Sequence, residues 1–239
     1  MNSRQSYIMI KEMSETKEIL EIKNITKRYK KREVLQGIDL QTTSGKCVAI
    51  LGANGSGKST LLAILAGVLK ADEGEFLWQG KNLLKDSLSA SKVIGYVPQG
   101  TPLLEELSAW DNLRLWYEKQ DLERELKEGV LAMLGIGAFL KTPVCKMSGG
   151  MKKRLAIGCA VAGNPSVLLM DEPSAALDLE CKERIINYIK DFRARGGIVL
   201  LATHDAQEID ICDEWYILKQ GKLVPYAYDG NIHYLVGRL

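Results

Sequence analysis

The pattern with the clearest chemistry in this chain occupies residues 52–59, which read G-x-x-x-x-G-K followed by serine. Glycines let the backbone turn tightly, so that several N–H groups can point at phosphate oxygens. Lys58 adds a positive charge near the outer phosphates, and the Ser59 hydroxyl can ligate Mg²⁺. The pattern therefore predicts a site for a nucleoside triphosphate with Mg²⁺. The residues predicted to bind it are Gly52, Asn54, Gly55, Ser56, Gly57, Lys58, Ser59 and Thr60.

The segments on either side of this loop supply the elements that would position it. Residues 47–51 form a continuous apolar run, which is typical of a buried parallel strand. Residues 59–66 read as a helix that ends at Gly67. Phosphates would then lie at a helix N-terminus, where the helix dipole favours negative charge.

A pair of carboxylates, Asp171 and Glu172, directly follows a second apolar run at residues 167–170. The carboxyl edge of a parallel sheet is where such folds bind nucleotides. We therefore expect Asp171 to hold Mg²⁺ opposite Ser59, directly or through water. Glu172 would be the general base that activates the attacking water.

Two further polar residues follow predicted strands. His204 comes after the apolar run at residues 198–202, where its ring could reach the γ-phosphate. Gln99 follows the run at residues 93–97, where its amide could orient water or enter the magnesium shell. The alternatives are a structural histidine and an ordinary turn glutamine.

Ser148, Gly149 and Gly150 precede a segment with three basic residues, at positions 152–154. This arrangement predicts a second helix N-terminus and a second anion site. One explanation for a second anion site is that it contacts a nucleotide held by another subunit. The alternative is an ordinary serine cap with a solvated basic face.

Composition limits the class of protein. The 239 residues suffice for one large α/β domain, and the net charge of +2 gives no support for a nucleic-acid partner. The five cysteines form no C-x-x-C pair, so we expect reduced, buried thiols and a cytosolic protein. No apolar stretch approaches the ~18–20 residues that cross a bilayer, and the N-terminus does not resemble a signal peptide.

The chain divides into a polar tail at residues 1–17 and a domain at residues 18–239. Short β-like runs around the loop predict a small antiparallel sheet beside a mainly parallel one. Residues from about 100 to 162 predict an inserted helical subdomain, with a capping box at residues 108–111. An apolar stripe there (Trp110, Leu113, Trp116, Tyr117) is interpreted as core rather than as a partner surface. The predicted fold class is thus α/β. It is a phosphate-loop NTPase core with a mainly parallel sheet, a small antiparallel β subdomain and an inserted helical subdomain.

Taken together, residues 19–224 resemble the ATP-binding subunit of ATP-binding-cassette (ABC) transporters. Ser148-Gly149-Gly150 resembles the signature L-S-G-G-Q, which distinguishes this family among phosphate-loop proteins. The other matching features are the phosphate loop, residues 167–172, the lid glutamine Gln99, the loop from Ser174 to Asp178, the switch histidine His204, and Tyr29 at the position that stacks on adenine.

Three positions depart from the family pattern. Met147 replaces the leucine of the signature, Met151 replaces its glutamine, and Ala176 stands where glycine is frequent. The form S-G-G-M followed by basic residues is similar to that of drug- and antibiotic-exporter branches.

The resemblance implies an ATP-hydrolysing subunit that works as a head-to-tail dimer with an identical or paralogous cassette. ATP would lie between the phosphate loop of one subunit and Ser148, Gly149, Gly150 and Asp178 of the other. An integral membrane permease would dock near Gln99 and the helical insertion, and would hold the chain at the cytoplasmic face of the membrane. The alternatives are an ABC-type ATPase without a permease, acting in cofactor assembly or regulation, and a nucleotide-binding module without hydrolysis.

Overall fold

The computed structural model describes residues 18–175 and 177–231. The predicted polar tail at residues 1–17 and the departure at Ala176 lie outside the described residues. The strands are β1 Ile19–Tyr29, β2 Arg32–Thr43, β3 Cys47–Leu51, β4 Glu73–Trp78, β5 Lys81–Asn82, β6 Ile94–Val97, β7 Val167–Asp171, β8 Ile198–Ala202, β9 Glu214–Lys219 and β10 Lys222–Tyr226. The α-helices are α1 Lys58–Leu65, α2 Ser87–Val93, α3 Ala109–Arg114, α4 Lys119–Glu128, α5 Val130–Met133, α6 Gly149–Ala160, α7 Leu179–Ala194 and α8 Ala206–Asp210.

The strands form two sheets. A four-stranded antiparallel sheet has the order β2-β1-β4-β5, and a six-stranded sheet has the order β10-β9-β3-β8-β7-β6. In the second sheet every pairing is parallel except that of β9 with β10. Strands β3, β7 and β8 are buried along their whole length, which explains why each is a continuous apolar run. The predicted α/β fold class is confirmed.

Alternate residues of β3 face two separate parts of the core. Val48 and Ile50 pack with α1 and with the apolar side chains of the antiparallel sheet. Cys47, Ala49 and Leu51 pack on the opposite face, with the helical segment and with α7. The parallel sheet therefore lies between two apolar layers, and the loops at its carboxyl edge rest on a rigid support.

Helices fill the chain between β6 and β7. The segment contains α3–α6 and 3₁₀ helices at Ile136–Phe139 and Val144–Lys146. Ser108 and Asp111 form the predicted capping box, in which each side chain accepts from the backbone N–H of the other. Leu113 and Tyr117 are buried, but Trp116 is 65% exposed, so the interpretation of Trp116 as core was wrong. Since α3 ends at Arg114, helical spacing no longer sets the direction of Trp116.

The five cysteines differ in exposure. Four cysteines are buried, but Cys145 is exposed, so the prediction of buried thiols was wrong at that position. Cys145 lies in a 3₁₀ helix in which Val144, not Cys145, faces the core.

In residues 18–175 and 177–231, no helix combines the length and the apolarity that a bilayer crossing demands.

Candidate active site

The phosphate loop connects β3 to α1 and depends on glycine at two crowded positions. Gly52 and Gly57 have φ angles of 153° and 113°, a backbone conformation that L-residues with a side chain rarely adopt. A Cβ atom on Gly52 would lie 2.5 Å from the carbonyl oxygen of Leu218, and one on Gly57 would lie 3.0 Å from Val34. The loop is therefore held against β9 and β2. Ala53, Asn54 and Gly55 form its exposed rim, while Ser59 and Thr60 lie in the first turn of α1.

We expect Gly52→Ala to lower the free energy of unfolding by at least about 1–3 kcal/mol, because it combines a strained φ with a contact against backbone. Denaturant unfolding followed by circular dichroism would measure this change. Gly137→Ala is the matched control, since a Cβ atom there meets nothing within 4 Å. Equal unfolding midpoints for the two variants would contradict the assignment of a backbone constraint to Gly52.

Lys58 projects into this loop as a buried cation. Its side chain is 6% exposed, and Nζ donates to the carbonyl oxygens of Gly52 at 2.6 Å and Ala53 at 3.3 Å. Burial lowers the pKa of Lys58, although the charges of Glu172 and Asp171 oppose that shift. Ser56 Oγ is also buried and has no hydrogen-bond partner in the described part of the chain. A buried ammonium bonded to carbonyls and an unpaired hydroxyl both fit an anionic, oxygen-rich ligand such as a triphosphate.

Asp171 ends β7 beside the first turn of α1. It is 2% exposed, and the Ser59 hydroxyl lies near its carboxylate. Burial raises the pKa of Asp171, with a further increase from Glu172, while the Ser59 hydroxyl lowers it. A carboxylate and a hydroxyl near each other supply the oxygen ligands that Mg²⁺ prefers, so the two residues fit the predicted metal site.

Glu172 is the centre of a group of polar side chains. Gln99 Nε2 donates to Glu172 Oε2 at 3.0 Å, and His204 Nε2 lies 3.6 Å from Glu172 Oε1. Glu172 has a φ of 46°, and its backbone N–H donates to the Ala202 carbonyl of the neighbouring strand at 2.8 Å. The structure thus brings together Gln99, Glu172 and His204 from the ends of three adjacent strands.

His204 also connects this group to the phosphate loop, because His204 Nε2 lies 3.0 Å from Lys58 Nζ. An ammonium can only donate, so Nε2 accepts and the ring is neutral in this contact. Burial lowers the pKa of His204, and the Lys58 charge lowers it further. At neutral pH the ring therefore carries its proton on Nδ1 and leaves Nε2 facing the loop.

Tyr29 ends β1 and is linked to the same loop through its cross-strand partner Arg32. It is 44% exposed and pairs with Arg32 across the β1–β2 turn. Arg32 Nη2 donates to the Gly55 carbonyl at 3.2 Å, a contact that sequence reasoning missed. The exposed ring and its link to the loop through Arg32 are compatible with stacking on a base.

Ser148, Gly149, Gly150 and Asp178 form a second group, where α6 and α7 begin side by side. Ser148 accepts from the Met151 N–H and Asp178 accepts from the Cys181 N–H, so each caps a helix. A Cβ atom on Gly150 would lie 2.5 Å from Cys181 Sγ, which explains the close approach of the two helices. Ser148, Gly149 and Asp178 are exposed.

The alternative of an ordinary serine cap with a solvated basic face was wrong at Lys153, although Ser148 does cap α6. Lys153 is 5% exposed, Lys152 pairs with Glu105 at 2.8 Å, and Arg154 donates to the Leu134 carbonyl at 2.8 Å. These contacts join residues distant in sequence, so no local pattern indicated them.

Comparison with known proteins gives a consistent result. The family model described as "ABC transporter" matches residues 35–175. The Nod factor export ATP-binding protein I of Sinorhizobium fredii is 32% identical over 91% of this chain and 64% of its own length. The spermidine/putrescine import ATP-binding protein PotA of Spiroplasma citri is 35% identical over 90% of this chain and 63% of its own length. The chain thus spans less than two thirds of the length of these two relatives.

A solved structure with the same fold is a dimeric, post-hydrolysis ATP-binding cassette bound to ADP and Pi. It superposes with a TM-score of 0.76 at 30% identity, covering 85% of this chain and 96% of that structure.

Proposed function

Since the chain belongs to the ABC transporter family, we propose that it powers the export of a substrate through a separate membrane permease. The chain is an ATPase. The observation that carries the proposal is the group formed by Lys58, Glu172 and His204 at one edge of the parallel sheet. It places a cation that can bind the phosphates near a carboxylate that can activate the attacking water. Hydrolysis requires both groups.

We assign a role to each residue of this site. The backbone of residues 52–60 and Lys58 hold the phosphates, and Tyr29 stacks on the base. Ser59, Asp171 and Gln99 hold Mg²⁺, which neutralises phosphate charge when it is bound. Glu172 accepts the proton of the attacking water, and His204 presents Nε2 to the loop, where this nitrogen would donate to the γ-phosphate once it carries the ring proton.

The second group completes the site of a partner cassette. Ser148, Gly149 and Gly150 start a twelve-residue helix, whose N–H groups and dipole favour an anion. Asp178 lies next to them and is exposed. We infer a head-to-tail dimer in which the nucleotide of each subunit contacts this group on the other, so that hydrolysis depends on closure.

The permease would contact the start of the inserted helical subdomain, which we place at about residues 100–162. Leu104, Leu115 and Trp116 expose 51%, 60% and 65% of their surface shortly after Gln99 in the chain. Three large apolar side chains exposed in one short segment favour a protein contact over bare solvent. This contact would hold the chain at the cytoplasmic face of the membrane and would connect Gln99 to the permease.

We expect the affinity-tagged chain, purified from detergent-solubilised membranes of its host, to bring down a multi-spanning membrane protein. Leu104→Ser with Trp116→Ser should reduce recovery of that protein, because the substitutions remove apolar contact area. Val224→Ser, which changes an apolar residue exposed to 53% on β10, is the matched control. Recovery of water-soluble partners alone would instead support an ATPase of cofactor assembly or regulation.

The signature favours export over import. The S-G-G-M form resembles that of exporter branches, and the Nod factor relative is named as an exporter. Because the Spiroplasma relative is named as an importer, the complex should be reconstituted in vesicles with ATP on the side of this chain. Loss of substrate from that side supports export, and accumulation there supports import.

A further inference from the structure

Lys153 is a buried cation that the site described above does not use. It lies in the second turn of α6, and its side chain is 5% exposed. Its Nζ donates to two successive carbonyl oxygens, those of Pro98 and Gln99, each at 3.0 Å. The ammonium thus holds the backbone of the residue whose side chain meets Glu172.

Close packing of α6 on β6 brings Lys153 to this position. A Cβ atom on Gly95 would lie 2.6 Å from the Ala160 carbonyl oxygen, so only glycine permits this approach of strand and helix. Lys153 precedes Ala160 by seven residues, about two helical turns, and therefore lies on the same side of the helix. It then faces the end of β6, where Pro98 and Gln99 follow.

The surroundings of Lys153 stabilise its charge in part. Burial lowers the pKa of Lys153, while the negative charges of Asp171, Glu208 and Glu172 raise it. Gln99 and Gly100 are exposed, so the two bonds from Lys153 Nζ and the bond from Gln99 Nε2 to Glu172 help to hold this loop. A buried lysine here is better explained by what it holds in place than by packing alone.

We propose that Lys153 is a positioning residue for ATP hydrolysis, which fixes the Pro98–Gln99 backbone so that the Gln99 amide meets Glu172 Oε2. The inference rests on the roles of Gln99 and Glu172 in the proposed function. Because Ser148 caps α6, the same ammonium connects the helix that faces the partner nucleotide to the loop that faces the subunit's own site.

The test compares Lys153→Met with Lys153→Arg and with Lys190→Met, in the complete chain and in complex with its permease. Lys190 is an exposed lysine on α7 and supplies the matched control. We expect Lys153→Met to lower kcat by about 10- to 100-fold, the size of effect that misplacement near a reacting centre produces. The Kd for ATP, measured by fluorescent-nucleotide binding without Mg²⁺, should stay at the wild-type value, because the loop and Lys58 hold the phosphates. Lys153→Arg should recover most of kcat, because it retains a charged donor.

A double-mutant comparison separates positioning from a structural role. If Lys153 acts through the Gln99 loop, Lys153→Met should add little to the loss caused by Gln99→Ala. Three results would each overturn the proposal. They are losses of kcat that multiply in the double mutant, a wild-type kcat for Lys153→Met, and a kcat loss that merely follows a lower Tm. If Lys153→Met does not fold, Lys153→Gln replaces it in the same comparison.

The same assay distinguishes the inference from the proposed function. Wild-type ATPase activity that Glu172→Gln abolishes, together with an unaffected Lys153→Met, refutes the role of Lys153 alone. Activity that survives Glu172→Gln refutes the catalytic arrangement on which the inference rests.

Discussion

Glu172→Gln is expected to lower kcat for ATP hydrolysis by a factor of about 10²–10⁴, the usual contribution of a general base. The glutamine side chain has the same size, and its carbonyl oxygen can still accept the bond from Gln99 Nε2. It cannot take a proton from water, so the loss falls on the chemical step. ATP binding should persist, because the phosphates are held by the loop and by Lys58.

Three measurements check this result. Phosphate release gives kcat, fluorescent-nucleotide titration gives the Kd for ATP, and size-exclusion chromatography with ATP shows whether the variant accumulates as a closed dimer. Glu180→Gln is the control, since that carboxylate is 76% exposed and pairs with Arg184 on the surface of α7. Rapid turnover by Glu172→Gln would refute its role as base. A variant that stays monomeric in saturating ATP would argue against the head-to-tail dimer.

Local patterns were sufficient to predict the phosphate loop and the elements around it. Strand β3 occupies the predicted residues 47–51, and α1 ends one residue before the predicted end, ahead of Gly67. Both are determined by neighbours in sequence: an apolar run buried on two faces, and a glycine with a φ of 72° after the helix. The caps by Ser108 and Ser148 were predictable for the same reason, since each involves an N–H three residues away.

Contacts between distant segments could not be read from the sequence. Arg32 reaches the Gly55 carbonyl only because the β1–β2 turn lies over the loop, and Lys153 reaches Gln99 only because Gly95 lets α6 approach β6. Charged residues after a serine cap look like a solvent-facing run, so burial of Lys153 has no signal in its own neighbours. Trp116 shows the reverse error, because apolar spacing does not reveal where a helix stops.

Lys58→Met is expected to weaken ATP binding at least about 100-fold while leaving the ligand-free protein equally or more stable. Two charge-assisted hydrogen bonds to phosphate contribute about 1.5–3 kcal/mol each, which sets the scale of the binding loss. The Lys58 ammonium is, however, buried and bonded to carbonyls, and burial lowers its pKa. The charge therefore opposes folding until an anion arrives, and methionine removes that penalty while keeping similar volume.

Thermal and denaturant unfolding with and without ATP would show both effects in one experiment. At about 100 times the wild-type Kd, ATP should stabilise the wild type by about 2.7 kcal/mol, but a variant with 100-fold weaker binding by only about 0.4 kcal/mol. Lys190→Met, which makes the same change at an exposed helical position, should behave as the wild type in both conditions. Equal ATP-dependent stabilisation of Lys58→Met would show that the buried ammonium does not hold the phosphates. A variant that is destabilised without ATP would show that the lysine serves the fold of the loop itself.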